Sequence, residues 1–397
     1  MRHNRPWKPN QSWNLILIST LASMMFFAIG TAYAKKVSTL SLCVNHSGSG
    51  GCSTTVQGAV GMVPAGGSAV ITIAASVTPY AEDITVSGMT VSFVGGGAGM
   101  TVIDGTNVSS IPTFLFENNA KGELHGMTIE NGNGPTGSNV QFEQFAAKGN
   151  KGVGTLKIEN CEITGGVRPS NVLPEGAVNF VGQTLTIDSS SIVNNTDEGI
   201  LINGAPHVFI TNTTISGNDT PGNNGNAVGC GMHISSGTIV LNNVTITDNH
   251  CIGGTGADQS PTVGGGLFID FPAKVSISNT VVANNTVAGS SPSGPDCFSP
   301  GKGLKSKGFN LIKDTSACNI KLAKSDLSGT DPSLSSLASC ASSGLEVETP
   351  LGGSPLIGSG NPGKLSGKLG AKGSNCLPTD ECGTARAKGS CSIGAAE

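Results

Sequence analysis

The reading turns on five segments: TLKIENCEITGG (155–166), TLTIDSSSIVNN (184–195), HVFITNTTISGN (207–218), TIVLNNVTITDN (238–249) and KVSISNTVVANN (274–285). They align without gaps. The second and fourth residues of each are apolar: Leu156/Ile158, Leu185/Ile187, Val208/Ile210, Ile239/Leu241 and Val275/Ile277. That is the period-two pattern of a strand with one buried face. The ninth residue is always β-branched, as Ile163, Ile192, Ile215, Ile246 or Val282. The sixth is Asn160, Ser189, Asn212, Asn243 or Asn279. A residue of this kind tolerates the left-handed backbone of a sharp corner. Stacked at strand spacing, these five are expected to form a polar ladder in which amides bond from coil to coil.

A second strand signal falls between the repeats, at 177–180 (AVNF), 199–202 (GILI), 231–234 (GMHI) and 266–269 (GLFI). Each repeat therefore holds about three short strands. Repeat starts lie 29, 23, 31 and 36 residues apart, so the excess over the shortest is expected in loops such as 253–264. One coil of short strands cannot bury its apolar side alone, but a stack of them encloses a continuous core. The expected fold is all-β: a right-handed parallel β-helix, three short strands per coil. A β-sandwich does not normally repeat one motif in gapless copies. Residues 54–63 (TTVQGAVGMV) read as a short amphipathic helix placed to plug the exposed N-terminal edge. The expected division is a signal peptide at 1–34, an N-terminal cap at 35–66, the β-helix at 67–296 and a loop-rich C-terminal end at 297–397.

The first 34 residues carry a signal pattern. Arg2, Arg5 and Lys8 precede an apolar stretch from Leu15 to Gly30, and Ala32-Tyr33-Ala34 forms a cleavage site before Lys35. Removing this +3 segment takes the formal charge from −4 to −7. An acidic mature chain does not suit a nucleic-acid backbone or an anionic membrane. Trp7 and Trp13 leave with the signal, and Tyr80 is the single mature tyrosine, so base-stacking platforms are scarce. No later segment is apolar enough to span a bilayer. The expected product is secreted or at the cell surface, and monomeric.

The chain has 11 cysteines, all in the mature part, an odd number. Export permits disulfides. Cys43/Cys52 and Cys297/Cys318 are candidate loop staples and Cys230/Cys251 a candidate link between neighbouring coils. No Cys-x-x-Cys or spaced His pair points to a zinc site. At least one thiol is left over.

Two regions resemble known families. Gly51-Cys52-Ser53-Thr54, Tyr80-Ala81-Glu82-Asp83-Ile84 and Thr101-Val102-Ile103-Asp104-Gly105 resemble the entry into pectate-lyase-like β-helices. Asp296-Cys297, Gly308-Phe309-Asn310-Leu311-Ile312, Asp331-Pro332-Ser333-Leu334 and Cys391-Ser392-Ile393-Gly394-Ala395 resemble the choice-of-anchor Q domain of bacterial surface β-helix proteins. The Asn-Asn-Thr and Gly-Gly-Gly coils are similar to polymorphic outer-membrane protein repeats. The resemblance implies a surface or secreted protein and assigns no activity.

Among candidate catalytic residues, Asn195-Thr196-Asp197 resembles the Asn-Thr-Asp of polygalacturonases, with Asp219 22 residues on, near one coil further, and His233 on the next coil at an outward-facing strand position. A glycoside hydrolase needs two carboxyls at a defined gap. The competing reading makes Asp197 and Asp219 turn residues of Asn/Asp/Gly-rich corners. A lyase needs cations, here Lys151, Lys157, Arg168 and Lys274, and often calcium. No cofactor is expected, calcium being the one ion weighed. The expected function is a non-enzymatic, exported surface or adhesion protein whose partner is a polysaccharide or other cell-surface ligand. The alternative is a polysaccharide hydrolase or lyase working in a groove along the helix.

Overall fold

In the computed structural model, every parallel pairing expected of the repeat is present. Thr155 pairs with Thr184, Thr184 with His207, His207 with Thr238 and Thr238 with Lys274. The second strands stack in the same way, Asn179 beside Leu201, Leu201 beside His233 and His233 beside Phe268. The structure describes residues 38–106, 111–135, 137–144, 154–167, 175–204, 207–220, 227–253, 261–289, 291–366 and 374–397. The expected signal peptide, Lys151, Arg168 and most of the 253–264 loop lie outside the described residues.

Two parallel sheets dominate. The long sheet has 17 strands among the described residues and runs from Leu40–Val44 to Leu327–Ser328. The second sheet has eight, in spatial order from Ile84–Ser87 through Phe114–Glu117, Val140–Glu143, Gly176–Val181, Glu198–Ile202, Met232–Ile234 and Leu267–Ile269 to Cys297–Phe298. A three-stranded sheet of Asp219–Thr220, His250–Ile252 and Thr286–Ala288 sits at one corner. Chain order and spatial order coincide, as a right-handed parallel β-helix requires. Parallel stacking thus extends on both sides of the expected 67–296.

The long sheet bends once per coil. Asn160, Ser189, Asn212, Asn243 and Asn279 all have positive φ, between 43° and 55°, so the sixth position is the corner residue. For a side chain with a Cβ this backbone costs roughly 1–2 kcal/mol, and Asn bears it most easily. After the bend the ninth residues point inward: Ile163, Ile192, Ile215 and Ile246 are fully buried. The core is aliphatic along most of its length. Near the N-terminal half it carries an aromatic stack, with Phe142 and Phe180 ring centroids 4.9 Å apart and Phe116 and Phe142 5.8 Å apart.

The amide ladder stands at a different place from the one expected. The sixth-position side chains do not bond one another; Asn212, Asn243 and Asn279 donate to the carbonyls of Thr379, Gly394 and Ser374. The ladder is built by the twelfth residue. Asn139 Nδ2 donates to Asn195 Oδ1 (3.0 Å), Asn195 to Asn218, Asn218 to Asn249 and Asn249 to Asn285 (2.9 Å each), and Asn285 to Asp296 (3.0 Å). Each Oδ1 also accepts the backbone N–H of the coil before it. The corner is buried, so each inner level needs a side chain that both donates and accepts, and Asp296, which accepts only, ends the row.

The N-terminal edge is closed by a helix. The helix near the N-terminus is Val56–Val60, shorter than the expected 54–63, and is N-capped by Thr55 Oγ1, which accepts from Gly58 N. Val56, Ala59 and Val60 are buried against the first coil. Gln57 treats the edge strand Ile84–Ser87 as a neighbouring strand would: its Oε1 accepts from Thr85 N (2.7 Å) and its Nε2 donates to Thr85 O (3.4 Å). The chain beyond Ser328 folds back along the second half of the bent long sheet. Glu381 accepts from Thr214 N and Oγ1, Glu348 from Ser216 and Thr247, and Arg386 donates to Asn212. Cys340–Cys382 and Cys376–Cys391 staple this returning segment internally.

The three expected disulfides, Cys43–Cys52, Cys230–Cys251 and Cys297–Cys318, are formed. Cys161 is the thiol left over; it is fully buried, and burial pushes it up to about 12. No helix among the described residues is long and apolar enough to cross a membrane.

Candidate functional site

The outer face of the second sheet carries the chemistry. In a strand, alternate residues face outward, and in-register stacking turns them into rows. One row reads Leu115, Gln141, Asn179, Leu201, His233, Phe268, Phe298. Two positions further along each strand, Glu117 and Glu143 begin a parallel row, which Ser235 and Asp270 continue just beyond their strands. Glu175 and Glu198 lie at the strand entries.

At the N-terminal end of this face an open groove of about 530 Å³ is lined by Pro112, Leu115, Glu117, Gln141, Glu143 and Gln144, among others. Gln141 Nε2 donates to Glu143 Oε2 (2.6 Å) and Asn179 Nδ2 to Glu175 Oε2 (2.9 Å). Burial pushes the Glu175 carboxyl up to about 7, with Glu198 and Glu143 adding to the shift and His233 opposing it. His233 lies between two carboxylates, its Nδ1 3.3 Å from Glu198 Oε2 and its Nε2 3.6 Å from Asp270 Oδ2. Burial disfavours its charged form, but the two acids outweigh that and hold the imidazole at about 10, so it is an imidazolium at neutral pH. Phe268 meets the His233 ring edge-on and stacks on Phe298, with centroids 5.8 Å apart. Phe271, just past the Leu267–Ile269 strand, is 85% exposed.

Of the expected catalytic trio, His233 alone stands in the outward row of this face. Asp197 is 1% exposed, and its Oδ1 accepts the backbone N–H of Glu175 (3.1 Å) and of Glu198 (3.0 Å). It shapes the corner that presents both glutamates. Asp219 lies in the separate three-stranded sheet, in register with His250. The lyase candidates among the described residues sit elsewhere: Lys157 and Lys274 are on the long sheet, and Lys157 is paired with Glu159 at 2.7 Å. No group of three or more His, Cys, Asp or Glu among the described residues is placed to hold a metal ion, calcium included.

Glu143, Glu175, Glu198 and Asp270 were not singled out from the sequence. Glu198 directly precedes Gly199-Ile200-Leu201-Ile202, and Glu175 stands two residues before Ala177. Reading the flanks of the aligned second strands, instead of matching a motif, was the signal available.

No protein-family model matches the chain, and no curated protein sequence matches it. Two solved structures are similar in fold. A pectin methylesterase from carrot shares 16% identity, with 73% of this chain and 88% of that chain covered and a TM-score of 0.43. The pectate lyase Pel9A shares 13% identity, with 86% and 96% covered and a TM-score of 0.45.

Proposed function

We propose that this is an exported β-helix protein that binds a polysaccharide along the outer face of its second sheet. The observation that carries the reading is the row itself. The row begins in the groove with Leu115 and Gln141 and runs in register, beyond the groove, through the largely covered Asn179, Leu201 and His233 to the stacked Phe268 and Phe298. Amides and carboxyls bond sugar hydroxyls, and aromatic faces stack on the apolar side of a sugar ring. A row with one such group per coil suits an extended polymer better than a compact ligand. Five disulfides among the described residues fit an oxidising compartment, as the N-terminal signal pattern does. The binder acts as a monomer, retained at the cell surface or released, and the likeness of its C-terminal part to choice-of-anchor Q domains belongs with that role.

A second reading, hydrolysis, is favoured by one feature. Glu175, protonated up to about pH 7, is electrostatically coupled to Glu198, which pairs with the His233 imidazolium. An acid kept neutral near a carboxylate is the electronic arrangement that glycoside cleavage uses.

Affinity electrophoresis through gels containing neutral, amino-sugar and uronate polysaccharides tests binding, and release of reducing ends from the same polymers tests turnover. Retardation without turnover is expected, and Phe298→Ala is expected to weaken it. A folded protein that no polymer retards would sink the proposal. Turnover lost in Glu175→Gln would put hydrolysis in its place.

A further inference from the structure

The charge of the face selects among polysaccharides. The eight strands of the second sheet contain no Lys and no Arg. Among the described residues, their outer face and its margin carry the carboxyls of Glu117, Glu143, Glu175, Glu198 and Asp270 and the imidazolium of His233. Two of these acids, Glu117 and Glu143, line the open groove itself.

A polyuronate laid on this surface would bring one carboxylate per sugar against fixed carboxylates, with no lysine or arginine on these strands and no metal cluster among the described residues to offset them. Like charges at such range repel, and partial burial strengthens the effect by limiting solvent screening. A neutral glycan would leave the existing repulsion unrelieved. Glu175 already shows that strain, since its neighbours Glu198 and Glu143 raise its pKa beyond what burial does. A cation between neighbouring acids relieves the repulsion and gains charge-assisted hydrogen bonds. Glu143 lines the groove, and its charge reaches the Glu175 carboxyl at the entry of the strand on the next coil.

We propose that the ligand of this face is a polysaccharide bearing free primary amines, a de-N-acetylated amino-sugar polymer, whose ammonium groups sit against Glu117, Glu143 and Glu175. The inference rests on the reading of the second sheet as the glycan-binding face and names the substrate class of that face. His233, neutralised by Glu198 and Asp270, leaves the groove end anionic and marks where the ammonium-binding stretch gives way to the Phe268–Phe298 platform.

The test compares three probes by calorimetry at neutral pH: a glucosamine hexamer, its fully N-acetylated counterpart and a galacturonate hexamer. Each is titrated at low salt and at high salt, into the wild-type protein and into the Glu143→Gln/Glu175→Gln variant. Gln keeps the size and the accepting oxygen of each side chain, so the Gln141 and Asn179 bonds are retained. The glucosamine hexamer is expected to bind tightest, to weaken by about tenfold or more at high salt, and to weaken by about as much in the double variant. Equal or tighter binding of the N-acetylated hexamer, insensitive to salt, overturns the amine inference and leaves glycan binding standing. Preference for galacturonate overturns it as well. Glucosamine binding unchanged in the double variant overturns it by placing the charge elsewhere. Binding of none of the three, with no polymer in the electrophoresis panel retarded, overturns both.

Discussion

Asn218 shows at one position how this fold is specified. Its Oδ1 accepts from Asn195 N (3.3 Å) and Nδ2 (2.9 Å), and its Nδ2 donates to Ile192 O (3.0 Å) and Asn249 Oδ1 (2.9 Å). Replacing it with Ala orphans buried donors and acceptors on two coils. Each lost partner costs about 1–3 kcal/mol, so Asn218→Ala is expected to destabilise by at least about 2 kcal/mol in urea unfolding. Asn160→Ala, at a corner where no side-chain bond is made, is expected to cost less, about 1 kcal/mol from the left-handed backbone alone. The sequence pointed to the sixth position because it varies least in character across the five copies. At the twelfth, the first copy has Gly166, which breaks the row on paper. In space Asn139, from outside that copy, bonds to Asn195 instead, and Gly166 leaves it room. A second residue-level prediction concerns Cys161. Buried and pushed up to about 12, it is expected to resist alkylation in the native protein and to react only after unfolding, as mass spectrometry of reagent-treated samples would show.

At the scale of elements, strand pairing was legible in the repeat to the residue, because a one-residue slip would send every apolar side chain to the wrong face. Edge protection was legible only in outline. The amphipathic pattern at 54–63 announced a helix, but not that Gln57 would bond both polar groups of Thr85. Gln57→Ala is expected to leave that backbone pair open and to raise the tendency to associate edge to edge, read as higher-mass species in light scattering at raised concentration. Gln57→Glu, which retains an acceptor and loses the donor, is expected to fall between the two. The segment that returns over the long sheet was not legible at all. Its contacts join residues more than a hundred positions apart, such as Ser216 with Glu348 and Thr214 with Glu381, and carry no local period.

At the scale of the molecule, buried carboxyls tie stability to pH. Burial raises Asp83, Glu162, Glu175 and Glu348 to about 7, and Glu381 lies well above its ordinary value. For a group whose folded pKa exceeds its unfolded one, the folded state holds the extra proton. The stabilisation is then fully present below the unfolded pKa, near 4.5 for Glu, and is lost as pH rises through about 7. The protein is therefore expected to melt at a higher temperature at pH 5 than at pH 8, and Glu348→Gln is expected to flatten that slope. The returning segment is also cross-linked to itself. Opening Cys340–Cys382 and Cys376–Cys391 together by Cys→Ser is expected to expose 338–397 to protease while far-ultraviolet dichroism of the β-helix persists. The candidate site belongs to this scale too. Glu143, Glu175, Glu198, His233 and Asp270 come from separate coils and converge only through the stack, so a motif search along the chain passed over most of them and settled on Asp197 and Asp219.

The central claim, that the outer face of the second sheet is the glycan-binding face, is tested most directly by hydrogen–deuterium exchange with and without the tightest-binding oligosaccharide of the three hexamers. Protection concentrated in peptides covering 114–117, 140–143, 176–181, 198–202 and 232–234 is the result expected. Protection confined to the long sheet or to the returning C-terminal segment, with those peptides unchanged, would contradict it.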